Sequence, residues 1–133
     1  MLVVADNDVI GAVSAMRRIL ESAEWAEYLS DLGARFTTFE ELGLSCDAPD
    51  KLVWLTCQNA GALLITANRA GDADSLDRTI QQLSVPTSLP VVTIADPQLV
   101  IRDSNYAEAC ALRVLEYLER IDSLRGVGRL FIP

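Results

Sequence analysis

Apolar residues occur along the chain in two patterns, short continuous runs and runs with helical spacing. Residues 2–5, 63–65 and 91–94 are short apolar runs that lead into polar residues. Such runs are typical of strands that are covered on both faces of a parallel sheet. Residues 34–39 and 130–132 predict two further strands, the second and the last along the chain.

Helical spacing fills the segments between these strands. From Val9 onward apolar residues recur every three or four positions, and a second helix is expected between Ser22 and Gly33. The segment 51–60 is apolar nearly all round, which predicts a largely buried helix. The next predicted helix begins at Asp74, and a long helix is expected after Asp96-Pro97, most clearly over 106–121. The residues expected to face the core are Val9, Val13, Met16, Leu20, Trp25, Tyr28, Leu29, Leu32, Leu76, Ile80, Leu83, Ala107, Cys110, Ala111, Val114, Leu118 and Ile121.

The order of these elements is strand, two helices, strand, helix, strand, helix, strand, helix, strand. Such alternation predicts right-handed crossovers and an α/β fold, a three-layer sandwich with a mostly parallel sheet of about five strands between helical layers. The 133 residues fit a single domain that spans 1–133.

Several acidic residues stand where helices are expected to begin. A carboxylate there can accept a hydrogen bond from a free backbone N–H of the first turn. Asp50, three residues after Asp47, fits the third position of a capping box and equally fits a ligand position. The predicted caps are Asp8, Asp47, Asp74 and Asp96, and the predicted helix stops are Gly33 and Gly61.

Composition narrows the class of protein. Hydrophobic residues make up 50% and charged residues 23%, as in ordinary globular domains. No apolar run approaches the length of a membrane span and no basic signal region leads the chain, so a cytoplasmic protein without a membrane partner is expected. The net charge of -8 disfavours a broad basic surface for nucleic acid, although a small metal-dependent nuclease remains compatible with it.

The cysteine and histidine content excludes other kinds of site. The chain has no histidine, and its three cysteines show no CxxC spacing. A zinc site, a His-based catalytic triad and a disulfide framework are therefore poorly supported. Cys57 and Cys110 fall in apolar helical patterns and are expected in the core, whereas Cys46 lies in a predicted loop.

Acidic residues follow three of the predicted strands. Asp6 and Asp8 come after the first strand, Asp72 and Asp74 after the third, and Asp96 after the fourth. The carboxyl ends of parallel strands meet at one edge of the sheet, where ligands bind. The helix that leads into the third strand begins at this same edge, with Asp50. Carboxylates gathered there suit Mg²⁺ or Mn²⁺, which could orient water against a phosphodiester.

Three segments carry a resemblance to a known family. Val-Val-Ala-Asp-Asn-Asp (residues 3–8), Pro49-Asp50 and Leu-Leu-Ile-Thr-Ala-Asn-Arg (residues 63–69) resemble small bacterial PIN-like domains, which are related to the ribonuclease toxins of toxin-antitoxin pairs. The resemblance follows the element order to about residue 94. It implies a metal-dependent endoribonuclease with Asp6 and Asp50 at the first two acidic positions. Asn68 stands at the third, in a Thr-x-Asn motif where the family has Thr-x-Asp.

The neutral Asn68 leaves two functions open. Either Asp72 or Asp74 supplies the missing charge, or the chain is a catalytically degenerate PIN-like binding or regulatory module. The first reading gives Asp6, Asp50 and Asp72 catalytic roles, with Thr66 and Arg69 as substrate contacts. Its metal ligands would be Asp6, Asp8, Asp50, Asn68 and Asp74.

The expected partners follow from the two readings. RNA and a small antitoxin-like protein are the macromolecular partners that the resemblance implies, and exposed apolar helix faces are compatible with a homodimer. A flavodoxin-like or receiver-like domain also fits the alternation. The two-helix insertion after the first strand and the absence of a Lys near the last strands count against that alternative.

Overall fold

The computed structural model describes residues 1–67 and 76–133. Within these residues the strands are β1 (Leu2–Ala5), β2 (Arg35–Thr37), β3 (Ala62–Thr66), β4 (Val91–Ile94) and β5 (Arg129–Ile132). The α-helices are α1 (Ile10–Leu20), α2 (Ala26–Asp31), α3 (Asp50–Ala60), α4 (Leu76–Leu83), α5 (Pro97–Arg102), α6 (Ser104–Glu119) and α7 (Ile121–Leu124). A 3₁₀ turn, Asn7–Val9, lies between β1 and α1.

The strands form one sheet in the order β2-β1-β3-β4-β5, and each neighbouring pair is parallel. The predicted fold class is therefore confirmed: the chain is α/β, with a five-stranded parallel sheet between helices. This architecture is consistent with a PIN-like sandwich, and the strand order is also that of flavodoxin-like sheets. The register pairs Ala5 with Ile65 and Thr66 with Thr93, which aligns the carboxyl ends of β1, β3 and β4.

Alternation along the strands divides the core into two layers. Val3 and Leu63 face one side, where they pack with buried residues of α1 and α6. Val4 and Leu64 face the other side, where they pack with α3 and with Leu76 of α4. The central strand β3 is buried along its whole length, because helices cover it on both faces.

The predicted strands agree with the structure except in their bounds. β1 and β4 have the predicted limits, β3 is one residue longer at each end, and β5 is one residue longer at its start. The predicted strand over 34–39 is limited to Arg35–Thr37. Since β2 is an edge strand, only β1 pairs with it, which explains its short length and its partial exposure.

Two helix predictions need correction. The segment 51–60 was expected to be largely buried, but Leu52 is exposed because α3 presents only one face, with Val53, Trp54 and Cys57, to the sheet. The helix predicted over 106–121 is longer at its start, since α6 begins at Ser104. Asp103 caps it by accepting hydrogen bonds from the backbone N–H groups of Asn105 and Tyr106. Helix α5 precedes it, so α5 and α6 follow Asp96 where one long helix was predicted.

Most core-facing predictions hold, and the exceptions are half-buried or exposed. Tyr28 was expected to face inward but is exposed, and its ring instead contacts Trp25 edge-on, with 6.3 Å between the ring centres. Half-buried positions that pack against the two core layers are Trp25, Leu32, Ile80, Leu83 and Ile121. The residues confirmed as buried are Val9, Val13, Met16, Leu20, Leu29, Leu76, Ala107, Cys110, Ala111, Val114 and Leu118.

Of the caps predicted for the later helices, Asp96 is correct and Asp47 is wrong. Asp96 caps α5 by accepting from the N–H of Leu99, with Pro97 in the first turn. Asp47 is not a cap: Pro49 holds that position without a side-chain bond, and Asp47 instead accepts a hydrogen bond from Ser45. Asp50 is thus the first residue of α3 and not the third-position partner of a capping box at Asp47. Asp74 lies outside the described residues.

None of the helices in 1–67 and 76–133 combines the length and the apolar character that crossing a bilayer requires.

Candidate functional site

The candidate site lies at the carboxyl ends of β1 and β3. β2 lies on one side of β1 while β3, β4 and β5 lie on the other, so the order of the strands reverses direction between β1 and β3. In open α/β sheets this reversal opens a crevice above the strand ends, because successive connections leave in opposite directions. Asp6 follows β1 directly and Thr66 ends β3, so both lie at this crevice.

Hydrogen bonds to its backbone and to its carboxylate hold Asp6 in place. Its backbone N–H donates to the carbonyl of Ile65 over 2.8 Å, which extends the β1–β3 ladder by one residue. One carboxylate oxygen, Oδ1, accepts from the N–H of Asn7 at 2.8 Å, and the other, Oδ2, accepts from the hydroxyl of Thr66 at 2.8 Å. The carboxylate therefore has a fixed orientation at the edge of the sheet.

These bonds correct the prediction for the start of the first helix. Asp8 was expected to be the cap, but Asp6 caps the 3₁₀ turn at Asn7–Val9 and α1 then begins without a side-chain cap. The reason is the 3₁₀ turn itself, which moves the first unpaired N–H groups back toward β1. Capping thus engages one oxygen of the Asp6 carboxylate, Oδ1, whereas the neighbouring Asp8 is exposed.

Asp8 lies in a locally negative environment. Partial desolvation of its carboxyl, followed by repulsion from the Asp6 carboxylate, raises the pKa of Asp8, and a hydrogen bond from the backbone opposes this rise only in part. Two neighbouring carboxylates that repel each other create a negative potential, and a cation bound between them would relieve it. The pair Asp6 and Asp8 is the acidic pair of this site.

Helix α3 brings a further group close to the acidic pair. Burial raises the pKa of the Cys57 thiol to about 12, and the negative charge of Asp6 contributes to this rise. Asp50 lies on the same face of α3 as Trp54 and Cys57, at a spacing of four and seven residues, and both of those are buried against the sheet. Since α3 ends at Gly61 just before β3 begins, its first turn with Asp50 lies toward the carboxyl end of the sheet.

The structure does not unite all of the predicted site residues. Thr66 is fully buried, and the structure gives it a bond to Asp6. Within 1–67 and 76–133, no group of three or more His, Cys, Asp or Glu side chains is arranged to hold a metal ion. The predicted site residues that lie outside these ranges are Asn68, Arg69, Asp72 and Asp74.

A polar network that was not predicted lies next to this site on the α4 side of the sheet. Thr93 of β4 pairs with Thr66 of β3 and is fully buried. Its hydroxyl accepts a hydrogen bond from Arg129 Nη1 at 2.6 Å. Arg129 Nη2 donates to Asp77 Oδ1, also at 2.6 Å. The sequence signal was Thr93, a polar residue inside the short apolar run 91–94, together with Arg129 directly before the predicted strand 130–132.

Comparisons with models of protein families, with curated proteins and with solved structures gave no significant match. The PIN-like resemblance therefore depends on the three sequence segments, and the architecture is consistent with it.

Proposed function

We propose that this chain is a Mg²⁺- or Mn²⁺-dependent ribonuclease of PIN-like type, with the toxin-like role that the resemblance implies. The observation that carries the proposal is the Asp6 carboxylate, which Thr66 and Asn7 orient at the β1–β3 crevice beside a second carboxylate, Asp8. A divalent cation is the ligand that such a pair favours.

The acidic pair fits the coordination habits of Mg²⁺. This ion keeps several waters and is commonly bound through one or two carboxylates together with substrate phosphates. Asp6 and Asp8 are the two carboxylates that would hold it, and Asp50 and Asp72 or Asp74 are the further acids that the resemblance nominates. When bound, the cation would offset the charge of an RNA phosphate and activate a water.

The residues of the chain itself would position these groups. Thr66 holds one oxygen of Asp6 and the N–H of Asn7 holds the other, so the carboxylate loses little side-chain freedom when a ligand arrives. Asp8 would carry the second negative charge. Arg69 and Thr66 are the proposed substrate contacts, RNA is the proposed substrate, and a small antitoxin-like protein is the proposed partner.

The test combines metal binding with RNA cleavage. Millimolar Mn²⁺ should raise the melting temperature of the parent protein by about 5 °C, as expected for a ligand well above its dissociation constant. Asp6→Asn should abolish both this rise and the cleavage of single-stranded RNA. Asp31→Asn is the matched control, since it removes an exposed carboxylate from the end of α2. The nuclease proposal would be refuted if Mn²⁺ did not raise the melting temperature of the parent protein and if Asp6→Asn matched the parent in melting temperature and RNA cleavage.

A second candidate function is a PIN-like binding or regulatory module that does not cleave RNA. The neutral Asn68 at the third acidic position favours it. Under this proposal the melting temperature is the same with Mn²⁺ and with EDTA. RNA or a protein partner would then be retained without cleavage, and Asp6→Asn would leave that binding unchanged.

A further inference from the structure

A small cavity opens beside the acidic pair, on the side of β2. Its volume is about 250 Å³, and it lies between one face of α1 and the segment that runs from the end of β2 to Cys46. Asn7, the residue between Asp6 and Asp8, forms part of its wall. A ligand seated in this cavity would therefore lie next to Asn7, whose backbone N–H donates to the Asp6 carboxylate.

Most of the surface of the wall is apolar. Ile10, Val13 and Arg17 lie on one face of α1 at helical spacing, and Phe36 and Phe39 lie opposite them. Val13 is buried, whereas Ile10 is exposed at the mouth of the cavity, where it offers apolar surface to a ligand. Ligand sites in proteins are typically concave and apolar in this way, with a few polar groups that fix orientation.

The charges around the cavity favour a neutral occupant. The Arg17 guanidinium lies 5.3 Å from the centre of the Phe36 ring, and its Nε donates to Glu21 Oε1 at 3.0 Å. The cation is thus already balanced by a carboxylate, and Glu40 adds a further negative charge to the wall. An anionic group would gain little here, while a flat uncharged ring would gain contacts with aromatic faces.

Polar groups at the rim can form hydrogen bonds with the edge of such a ring. The Asn7 side chain carries both a donor and an acceptor, the combination that pairs with the edge of a base. The hydroxyl of Thr38, also in the wall, accepts from the N–H of Glu41 at 3.1 Å and keeps its own proton to donate. Proteins commonly recognise single-stranded RNA by stacking an unpaired base and bonding to its edge.

We infer that this cavity binds one unpaired nucleobase of a single-stranded RNA, with the neighbouring phosphate directed to the acidic pair. The inference rests on the proposed ribonuclease for its substrate, but base binding itself requires neither a metal ion nor cleavage. Asn7 and Phe39 would be specificity-determining residues, one for the base edge and one for the base face.

The test uses the four uncharged ribonucleosides, adenosine, guanosine, cytidine and uridine, without metal. At least one of them should shift the backbone amide NMR signals of residues that line the cavity, including Asn7 and Thr38. Ser14→Leu, which places a larger side chain in the cavity wall, should weaken that binding about ten-fold or more. Ser30→Leu is the matched control, since Ser30 lines a separate cavity at the amino end of the sheet, and it should leave binding unchanged.

Asn7→Ala provides a second variant if Ser14→Leu does not fold, because the Asn7 side chain is exposed. It should keep the melting temperature and lose the preference among the four nucleosides. Nucleoside binding without any RNA cleavage would support the base site while refuting the ribonuclease. Metal-dependent cleavage that Ser14→Leu leaves unchanged, with no signal shifted by any nucleoside, would overturn the base site alone. Shifts caused by N-acetyl-leucine amide and by none of the nucleosides would also overturn it, in favour of a protein side chain.

Discussion

At the scale of single residues, the bonds to Asp6 determine what it can offer to a ligand. A carboxylate has about four lone-pair positions, and Thr66 and Asn7 occupy one on each oxygen. Each oxygen thus retains a further lone pair, while the two bonds hold the plane of the group. Thr66 therefore acts on the site through Asp6, although its side chain is fully buried.

The Arg129–Asp77 ion pair is the residue-scale feature with the clearest consequence for stability. The side chain of Arg129 is only 10% exposed and that of Asp77 28%, so the pair is partly desolvated. Asp77→Ala removes the carboxylate from a nearly buried cation, which should lower the free energy of unfolding by about 2–3 kcal/mol. Urea denaturation measures this loss.

Asp122→Ala is the control for this prediction. The Arg125–Asp122 pair has a similar contact, at 3.1 Å, but Asp122 is 89% exposed. Solvent screens such a pair, so the expected loss is below about 1 kcal/mol. Equal losses for the two variants would show that burial of Arg129 does not govern the strength of its pair with Asp77.

At the scale of elements, the local pattern of apolar residues predicted the strands better than the points where helices begin. Buried strands were predictable because their residues are apolar over a short continuous run. The 3₁₀ turn at Asn7–Val9 and the boundary between α5 and α6 at Asp103 change the hydrogen bonding of the backbone. They do not change the spacing of the apolar residues, so that spacing did not indicate them. The cap was therefore assigned to Asp8, although Asp6 holds that position.

The candidate site was predictable only in part, for a related reason. The rule that ligands bind at the carboxyl ends of parallel strands placed Asp6 and Thr66 near one edge. The bond between them joins residues far apart in sequence and depends on the register of β1 with β3. The contact of Arg129 with Thr93 depends in the same way on the register of β4 with β5. No local pattern contains that information.

Two glycines at turns allow an element-scale prediction. Gly61 ends α3 with φ +66, and a Cβ added there would have no heavy atom within 4 Å. Gly126 has φ +84, and an added Cβ would lie 2.9 Å from the backbone oxygen of Pro86. Gly61→Ala should cost about 1 kcal/mol for the left-handed conformation alone, whereas Gly126→Ala should cost more because it adds a clash with backbone.

Thermal or urea denaturation of the two alanine variants separates these contributions. The difference between them measures the contact of the 84–88 loop with the 125–128 turn, which Arg125 also joins by donating to the carbonyl of Thr87 at 2.9 Å. If Gly126→Ala were no more destabilised than Gly61→Ala, that turn would have to be free to move away from Pro86.

At the scale of the whole molecule, two core layers share one sheet. Cys110 belongs to the layer of α1 and α6, and Cys57 to the layer of α3 and α4. The central strands contribute side chains to both layers, so neither layer can open fully without disturbing the sheet. The prediction of a single domain over 1–133 therefore has a specific consequence: the two layers should unfold together.

The three cysteines report on this cooperativity. Cys46 is exposed, whereas Cys57 and Cys110 are buried and burial raises the pKa of each thiol to about 12. The reactive thiolate is therefore scarce at both buried positions at pH 8, and they should react with a thiol reagent only after the chain opens. Cys46 should be labelled first, as a single modification detected by mass spectrometry of the intact protein.

The rates for Cys57 and Cys110 test the single-domain prediction directly. If one cooperative transition exposes both layers, the two cysteines react at rates that rise in parallel with urea, since each rate then reports the same free energy of unfolding. Peptide mapping after partial labelling distinguishes the sites, and the Cys46→Ser variant removes the fast reaction as a control. Faster labelling of Cys57 than of Cys110 at low urea would mean that the layer of α3 and α4 opens while the other stays closed. The acidic pair would then border the less stable layer, and the chain would consist of two separately opening units.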